Sequence, residues 1–236
     1  VETQRHAARL LETARPALDR AFRSFYRTDE SLEKNLKEVQ HAQSLIEQAL
    51  QEAPDLPLGH YLLGRAWEWQ GWPDRAESCW RKTVELDPQF GPAWYHLSRA
   101  LFWKGFFSGL PIQAEGRSLD EEVDLRRSRM LLLMKEGSGA LEAAILCESG
   151  LEDDLQRASV KSFLALLKGE TAKAHGMLEE AIQKFGSREG SEECHVLLSH
   201  FVSGKERDRA LDQAIRIRPR YALALFFRGI ARQQRR

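Results

Sequence analysis

Few residues of this sequence have the types and spacing that chemistry requires. Cys194 and His195 are adjacent, but successive residues of a helix point about 100° apart, so this imidazole cannot readily activate this thiol. The seven histidines lack the spacing from cysteine or acidic residues that a metal site shows, and no Gly-rich phosphate loop occurs. The sequence therefore predicts no catalytic residue, no metal site, no cofactor and no small-molecule substrate, and we expect the protein not to be an enzyme.

The charged residues limit the classes of partner. Adjacent carboxylates such as Asp153-Asp154 are more typical of a solvated helix face than of paired catalytic acids. Basic and acidic residues number 35 each, so no overall field attracts nucleic acid or a membrane surface. The carboxyl end is locally basic, which leaves a nucleic-acid-binding helical repeat as one alternative. The arginines of this basic end are Arg216, Arg218, Arg220, Arg228, Arg232, Arg235 and Arg236.

Other features of the sequence indicate the compartment and the extent of the chain. No apolar run approaches the roughly 18 residues of a membrane-spanning helix, and the amino terminus lacks the apolar core of a signal peptide. Cys79, Cys147 and Cys194 are odd in number and far apart, which favours free thiols in a reducing compartment. We therefore expect a cytoplasmic protein. Because the first residue is Val1 rather than Met, we also expect a piece of a longer chain.

Helix-forming residues dominate the sequence, strand-like alternation is absent, and a repeat is visible in its best-patterned stretch. Pro54 and Pro88 lie 34 residues apart, and so do Leu63 and Leu97. A fixed period of about 34 residues is typical of helix–turn–helix repeats that stack on one another. The sequence therefore predicts an all-α protein, an α-solenoid of antiparallel helix pairs.

This pattern resembles the tetratricopeptide repeat (TPR) family. The landmarks of its best-formed repeat are Leu63, Gly64, Trp67, Ala76 and Trp80. Gly64 is expected to meet Ala76 at a tight crossing of the two helices. Leu63 is expected to point into the array. Trp67, Trp80 and Trp94 are expected in the core. The resemblance implies a right-handed superhelix whose first helices line a concave groove, and hence a scaffold that binds a peptide or partner helix. The chain also looks like the TPR arrays of large bacterial signalling proteins such as serine/threonine kinases.

The strength of the pattern divides the chain into three parts. Residues 1–105 are predicted to be N-terminal TPR-like repeats, residues 106–150 an irregular insertion with non-matching helices, and residues 151–236 degenerate repeats with a terminal helix. About five helical pairs and one further helix are expected. In the last part of the chain, Ala174, Leu178 and Ala181 reproduce the second-helix spacing of Ala76, Trp80 and Thr83. Each pair would bury its apolar face only against its neighbours.

Three local signals set expectations about individual helices. Pro16 should kink or split the first helix, because proline cannot donate its backbone N–H. A loop is expected from Phe106, followed by a helix that ends at Gly137 and a short helix over residues 140–147. A further helix is expected over residues 191–202.

The candidate binding groove comes from the two best-matching first helices. Helical spacing puts one set of their residues on the same side. These residues are Tyr61, Arg65, Glu68, Trp69, Tyr95, Arg99, Phe102 and Trp103. Tyrosine with arginine suits acidic or aromatic peptide segments. The alternative is that these side chains only pack against the neighbouring first helix, and the sequence leaves both interpretations open.

Self-association is a further alternative to peptide binding. The terminal helix would expose Leu223, Phe226 and Phe227 unless another element covers them. A second copy of the chain could then cover this apolar surface.

Overall fold

The computed structural model describes residues 2–24, 31–108, 119–147 and 154–233, and for residues 119–123 it describes the backbone alone. Within these ranges the chain forms eleven α-helices and no β-strand, which confirms the predicted all-α class. The helices are α1 (Glu2–Arg23), α2 (Leu32–Glu52), α3 (Pro57–Trp69), α4 (Pro73–Leu86), α5 (Gly91–Ser108), α6 (Leu119–Leu146), α7 (Asp154–Leu167), α8 (Thr171–Phe185), α9 (Glu192–Leu198), α10 (Gly204–Ile217) and α11 (Ala222–Gln233).

The helices pack as successive pairs. The pairs are α1 with α2, α3 with α4, α5 with α6, α7 with α8 and α9 with α10, while α11 packs against α10. This is the predicted arrangement of five pairs and one further helix. One compact unit is Asp55–Leu151, and the other combines Val1–Pro54 with Glu152–Arg236. The three-part division at residues 105 and 150 stays a prediction.

Short turns with proline and glycine set the geometry of α3 and α4. Pro57 and Pro73 lie in the first turns of their helices, where a missing N–H breaks no helical hydrogen bond. Gly71, in the turn between the helices, has a φ of +81°, a conformation that glycine adopts without steric cost. The chain therefore reverses direction within a few residues, and the apolar sides of α3 and α4 meet.

Close contact between α3 and α4 depends on Gly64. A Cβ atom at Gly64 would lie 2.5 Å from Nε1 of Trp80, so the indole occupies the space that glycine leaves. Ala76, which was expected to meet Gly64, is fully buried one helical turn before Trp80, and its contact with Gly64 stays a prediction. The buried leucine of α3 is Leu62 rather than the expected Leu63, which is half-buried.

Two of the three tryptophans expected in the core lie at its edge. Trp80 is buried, but Trp67 and Trp94 are half-buried. The guanidinium of Arg75 lies 4.5 Å from the ring centre of Trp67. Trp94 donates through Nε1 to the carbonyl oxygen of Pro88 at 2.9 Å. Both rings thus cover apolar surface while one edge meets a polar group, as is common for tryptophan.

The helix boundaries predicted between residues 105 and 140 are wrong. α5 continues through Phe106 to Ser108, and α6 runs unbroken from Leu119 past Gly137 to Leu146. The predicted loop is therefore helical in its first residues, and its remainder over 109–118 lies outside the described part of the chain. Residues 119–146 form the second helix of a third pair.

Glycines at the α5–α6 contact explain why α6 does not end at Gly137. A Cβ atom there would lie 3.3 Å from the carbonyl oxygen of Ser98 and 3.4 Å from Cβ of Leu101. One at Gly105 would lie 3.2 Å from Cβ of Leu133. Both glycines therefore allow close approach of two antiparallel helices, a role that sequence alone does not distinguish from a helix stop.

An ion-pair network joins α4 to α5 and α6. Lys104 Nζ donates to Asp74 Oδ1 and Glu77 Oε2, each at 2.8 Å. Arg81 donates to the same Glu77 at 2.9 Å and also to Glu136. Hydrogen bonds and attraction from Lys104 lower the pKa of Asp74, and the same contacts raise the pKa of Lys104. These contacts thus stabilise the charged forms of Asp74 and Lys104.

The amino-terminal pair has an alanine- and leucine-lined contact. The buried residues of α1 are Ala7, Leu11, Ala14, Leu18 and Ala21. Val39, Ala42, Ile46 and Ala49 of α2 are fully buried. Pro16 lies inside α1 but does not split it. Ser31 caps α2 by accepting a hydrogen bond from the backbone N–H of Lys34 at 3.3 Å.

The carboxyl-terminal helices keep the predicted second-helix spacing. Ala174, Leu178 and Ala181 of α8 are buried, as the repeat pattern predicts. The helix predicted over 191–202 is shorter, because α9 ends at Leu198 and turns follow it.

The residues that α11 exposes differ from the set predicted for self-association. Phe227 is only 9% exposed and meets His200 edge-on with ring centres 4.7 Å apart, so this chain itself covers Phe227. Leu223 is half-buried, whereas Phe226 and its neighbour Leu225 are exposed. Fewer apolar side chains of the predicted set are therefore available to a second copy.

We expect Gly64→Ala to destabilise the protein by about 1–3 kcal/mol, because the new Cβ must displace the Trp80 indole. The matched control is Gly176→Ala in α8, where a Cβ meets nothing within 4 Å. That change should be neutral or stabilising by up to about 1 kcal/mol through helix propensity. Urea unfolding measures both, and a Gly64→Ala protein as stable as the control would contradict this packing.

We expect Lys104→Met to lower the free energy of unfolding by about 1–2 kcal/mol at pH 7, because Glu77 loses one of its charge-assisted hydrogen bonds. Lys82→Met, which removes an exposed pair with Glu85, should cost under about 0.5 kcal/mol. Because Lys104 lowers the pKa of Asp74, the stabilisation from this pair is fully present above about pH 4 and is lost as the pH falls from there through the lowered pKa. Equal effects of both variants would contradict the network's role.

Candidate functional site

The candidate groove residues lie on two first helices, α3 and α5, and we call their common surface the α3–α5 face. Contacts between the helices bring these residues together. The rings of Tyr61 and His96 have centres 5.7 Å apart, and the ring of Tyr61 is 5.0 Å from that of Phe90. Arg99 and Glu68 approach to 3.5 Å between NH1 and Oε1. The two helices thus form one continuous surface.

Burial divides the eight predicted residues into two groups. Tyr61, Tyr95 and Phe102 are buried, with exposed fractions of 7%, 8% and 6%. The other five residues are half-buried. They are Arg65, Glu68, Trp69, Arg99 and Trp103. The first group can support a bound segment from beneath, and the second can contact it directly.

Charge on the α3–α5 face is centred on Glu68. Its carboxylate lies 3.5 Å from NH1 of Arg99 and 3.5 Å from Nδ1 of His96. The Arg99 guanidinium also lies 5.6 Å from the ring centre of Tyr95. Arg65, which is half-buried, lies on the same face. The charged side chains predicted for the groove are thus two arginines and one glutamate.

His96 belongs to this site, although the sequence did not place it in the groove. Its ring stacks on that of Trp80 at 5.0 Å between centres and 29° between planes. Its side chain is 14% exposed, and it faces Glu68. The sequence could have indicated His96 by its position on α5. It lies between Tyr95, a predicted groove residue, and Leu97, which matches Leu63 in the 34-residue period.

At its carboxyl end, α5 carries an aromatic cluster. Phe102 meets Trp103 edge-on with ring centres 5.0 Å apart, and Trp103 lies 5.8 Å from Phe106 and 6.2 Å from Phe107. Phe107 is 38% exposed. Sequence reasoning missed Phe106 and Phe107 because the glycine before them suggested a loop. The cluster extends the aromatic part of the α3–α5 face by one helical turn.

The Cys194–His195 pair does not form a nucleophile and base. Cys194 Sγ lies 3.1 Å from the hydroxyl of Ser159, while His195 Nε2 lies 3.1 Å from the carbonyl oxygen of Gly186. Burial raises the pKa of Cys194 to about 11 and lowers the pKa of His195. Both side chains are therefore neutral at pH 7, and each is engaged by a different neighbour.

The described ranges contain neither a cluster of metal ligands nor a membrane-spanning helix. No group of three or more His, Cys, Asp or Glu side chains converges there as metal ligands would. Among the described helices, none has an apolar stretch long enough to cross a bilayer.

Two arginines of the basic carboxyl end contact acidic side chains. Arg228 donates to Asp208 at 2.8 Å and to Asp212 at 2.6 Å. Arg218 approaches Glu192 to 3.4 Å. These contacts partly neutralise the charge that a nucleic-acid phosphate would need to meet.

Comparison with solved structures identifies the fold. A thermophilic TPR protein of Thermus thermophilus, TTC0263, is 20% identical, with a TM-score of 0.54 over 93% of this chain and 99% of that chain. YrrB, described as a TPR protein with an unusual peptide-binding site, is 15% identical with a TM-score of 0.44 over 91% of each chain. The APC/C hetero-tetramer Cut9–Hcn1 is 12% identical with a TM-score of 0.43, over 96% of this chain and 48% of that chain.

No protein-family model and no curated protein matches the sequence. At 20% identity, the similarity to TTC0263 bears on the fold alone. Together with the helix pairs described above, it confirms the architecture that the 34-residue period predicts. The chain has the fold of a TPR protein.

Proposed function

We propose that this protein is a non-enzymatic interaction scaffold that binds an acidic peptide or partner helix on the α3–α5 face. The observation that carries the proposal is the joining of Glu68, His96 and Arg99 across two helices, above buried tyrosines. A partner would contact the half-buried arginines and tryptophans while Tyr61 and Tyr95 hold the surface rigid. Rigid aromatic and arginine side chains are common among residues that dominate binding energy.

Acidic partners suit this face because of its arginines. The guanidinium groups of Arg65 and Arg99 have the planar geometry that binds a carboxylate through two parallel hydrogen bonds. A ligand carboxylate that replaces or joins Glu68 at Arg99 would gain charge-assisted hydrogen bonds in a partly dehydrated setting. The aromatic cluster at the end of α5 offers apolar contact to a neighbouring ligand residue. We therefore propose a ligand with acidic residues next to an apolar or aromatic one.

Two other functions receive less support. Self-association through α11 is less supported because Phe227 is buried within the chain. Nucleic-acid binding is less supported because Arg228 and Arg218 form ion pairs with acidic side chains. A cytoplasmic location and a role in a larger bacterial signalling protein rest on the sequence and are part of the proposal.

We expect a displayed library of random peptides, each about a dozen residues long, to yield binders enriched in Asp and Glu. Arg65→Glu combined with Arg99→Glu should weaken a selected peptide by a factor of about 100 or more, because each charge-assisted hydrogen bond contributes about 1.5–3 kcal/mol. Fluorescence polarisation with a labelled peptide measures the affinity.

The matched control is Lys82→Glu combined with Arg127→Glu, which changes the net charge equally on α4 and α6. This control should retain affinity within about threefold, since long-range charge effects are screened at physiological salt. Binders without acidic enrichment, or equal losses in both double variants, would contradict the proposal. Circular dichroism of each variant checks that its helices are intact.

A further inference from the structure

Three aromatic rings and one carboxylate surround the imidazole of His96. The ring of Trp80 stacks on it with centres 5.0 Å apart, and the rings of Tyr61 and Tyr95 meet it edge-on at 5.7 Å and 5.6 Å. The carboxylate is that of Glu68, whose Oε2 lies 3.5 Å from Nδ1. An aromatic face and a carboxylate both attract a cation, so these neighbours favour an imidazolium over a neutral imidazole.

Glu68 is held loosely at both of its carboxylate oxygens. Oε2 is buried and accepts no hydrogen bond from a described residue. Oε1 lies 3.5 Å from NH1 of Arg99. Both separations exceed the distance of about 2.7–2.9 Å that is typical of a charge-assisted hydrogen bond. Because a buried acceptor without a donor is unfavourable, a proton on Nδ1 of His96 would stabilise this carboxylate.

Protonation of His96 would change the charge of the α3–α5 face. Imidazole is the side chain that ordinarily gains or loses its charge between about pH 5 and pH 8. Carboxylate and guanidinium groups ordinarily keep their charges over that range. A neutral His96 leaves Glu68 opposite Arg99, whereas a protonated His96 adds one positive charge beside them. An incoming ligand carboxylate is attracted more strongly in the second state.

We propose that His96 is a proton-operated positioning residue of the α3–α5 face, whose protonated form raises the affinity for an acidic ligand. The imidazolium draws the Glu68 carboxylate toward Nδ1, which weakens the attraction between that carboxylate and Arg99. The guanidinium can then engage a ligand carboxylate more strongly. This inference rests on the proposed function, because it concerns the same face and the same class of ligand.

Charged side chains of α4 are balanced by their own partners. Glu77 accepts hydrogen bonds from Lys104 and Arg81, and Arg81 also donates to Glu136. The contact between α4 and the imidazole is the indole of Trp80. Proton binding beside the indole therefore requires no change in the ion-pair network.

Other ionisable side chains of α3 belong to the surroundings of this site. Arg65 lies on the same face as Glu68, and His60 is half-buried next to Tyr61 in the sequence. Tyrosine ordinarily stays neutral below about pH 9, so Tyr61 adds no charge in the range where imidazole titrates. His60 is a second imidazole close to the face, and a test of His96 must separate the two.

The pH dependence of peptide affinity tests the proposal. We expect a selected acidic peptide to bind about fivefold or more tightly at about pH 5.5 than at about pH 8, which is a typical lower limit for coupling between two sites. Aspartate and glutamate of the peptide are ordinarily ionised at both pH values, so the ligand itself does not produce the change. The same peptide with Asn and Gln in place of its acids should show no such gain. Fluorescence polarisation measures each affinity.

Two substitutions remove the proposed coupling in different ways. His96→Phe keeps an aromatic ring against Trp80 without a titratable nitrogen, so its affinity for the peptide should be the same at the two pH values. Glu68→Gln keeps the shape of the side chain without its charge. It should bind the peptide more tightly than the unmodified protein at about pH 8 and show a smaller gain at about pH 5.5, because His96 has lost its anionic neighbour.

The matched controls are substitutions of other histidines. His60→Gln changes the nearby imidazole of α3, and His41→Gln changes an exposed one on α2. Both variants should keep the pH dependence of the unmodified protein. Circular dichroism at each pH checks that the helices are intact, and Glu68→Gln provides the test if His96→Phe does not fold.

Proton uptake provides a second readout that a merely structural role of His96 would not give. Because coupling between two binding events is reciprocal, binding of the acidic peptide near pH 7 should take up part of a proton. Calorimetry in two buffers with different enthalpies of ionisation measures this uptake. His96→Phe should abolish it, whereas His60→Gln and His41→Gln should retain it.

The outcomes separate this inference from the proposed function. Acidic peptides that bind equally well at both pH values, or a pH dependence that survives in His96→Phe, would overturn the role of His96 and leave acidic-peptide binding standing. A pH dependence lost in His60→Gln but kept in His96→Phe would assign the titration to His60 instead. If no acidic peptide binds at either pH, both proposals fail.

Discussion

Packing of Trp80 against Gly64 and His96 is the contact on which the Asp55–Leu151 unit depends. The indole fills the space left by a missing Cβ on α3 and stacks on an imidazole of α5. Its Nε1 is buried and, within the described residues, has no hydrogen-bond acceptor, so packing rather than polar bonding holds it. Since His96 also faces Glu68, the position of this one ring sets both the helix spacing and the charge arrangement of the α3–α5 face.

The 34-residue period predicted the architecture, because it shows which sequence positions recur and the contacts between helices in this fold recur with the same period. Ala174, Leu178 and Ala181 were placed on the buried side of α8 although no first helix matched before them. The one-residue error at Leu62 and Leu63 has a different origin. Both residues are leucine, and the rotation of a helix about its axis is decided by the neighbouring helix, which a local pattern does not contain.

Less of the candidate site could be predicted, because exposure depends on contacts between helices. Spacing placed Tyr61 and Arg65 on one side of α3 correctly, but it could not tell that the tyrosine is buried and the arginine half-buried. Gly137 is a second case in which the sequence alone does not reveal a contact between helices. A glycine before small residues can end a helix or let another helix approach, and only the proximity of Ser98 and Leu101 decides between them.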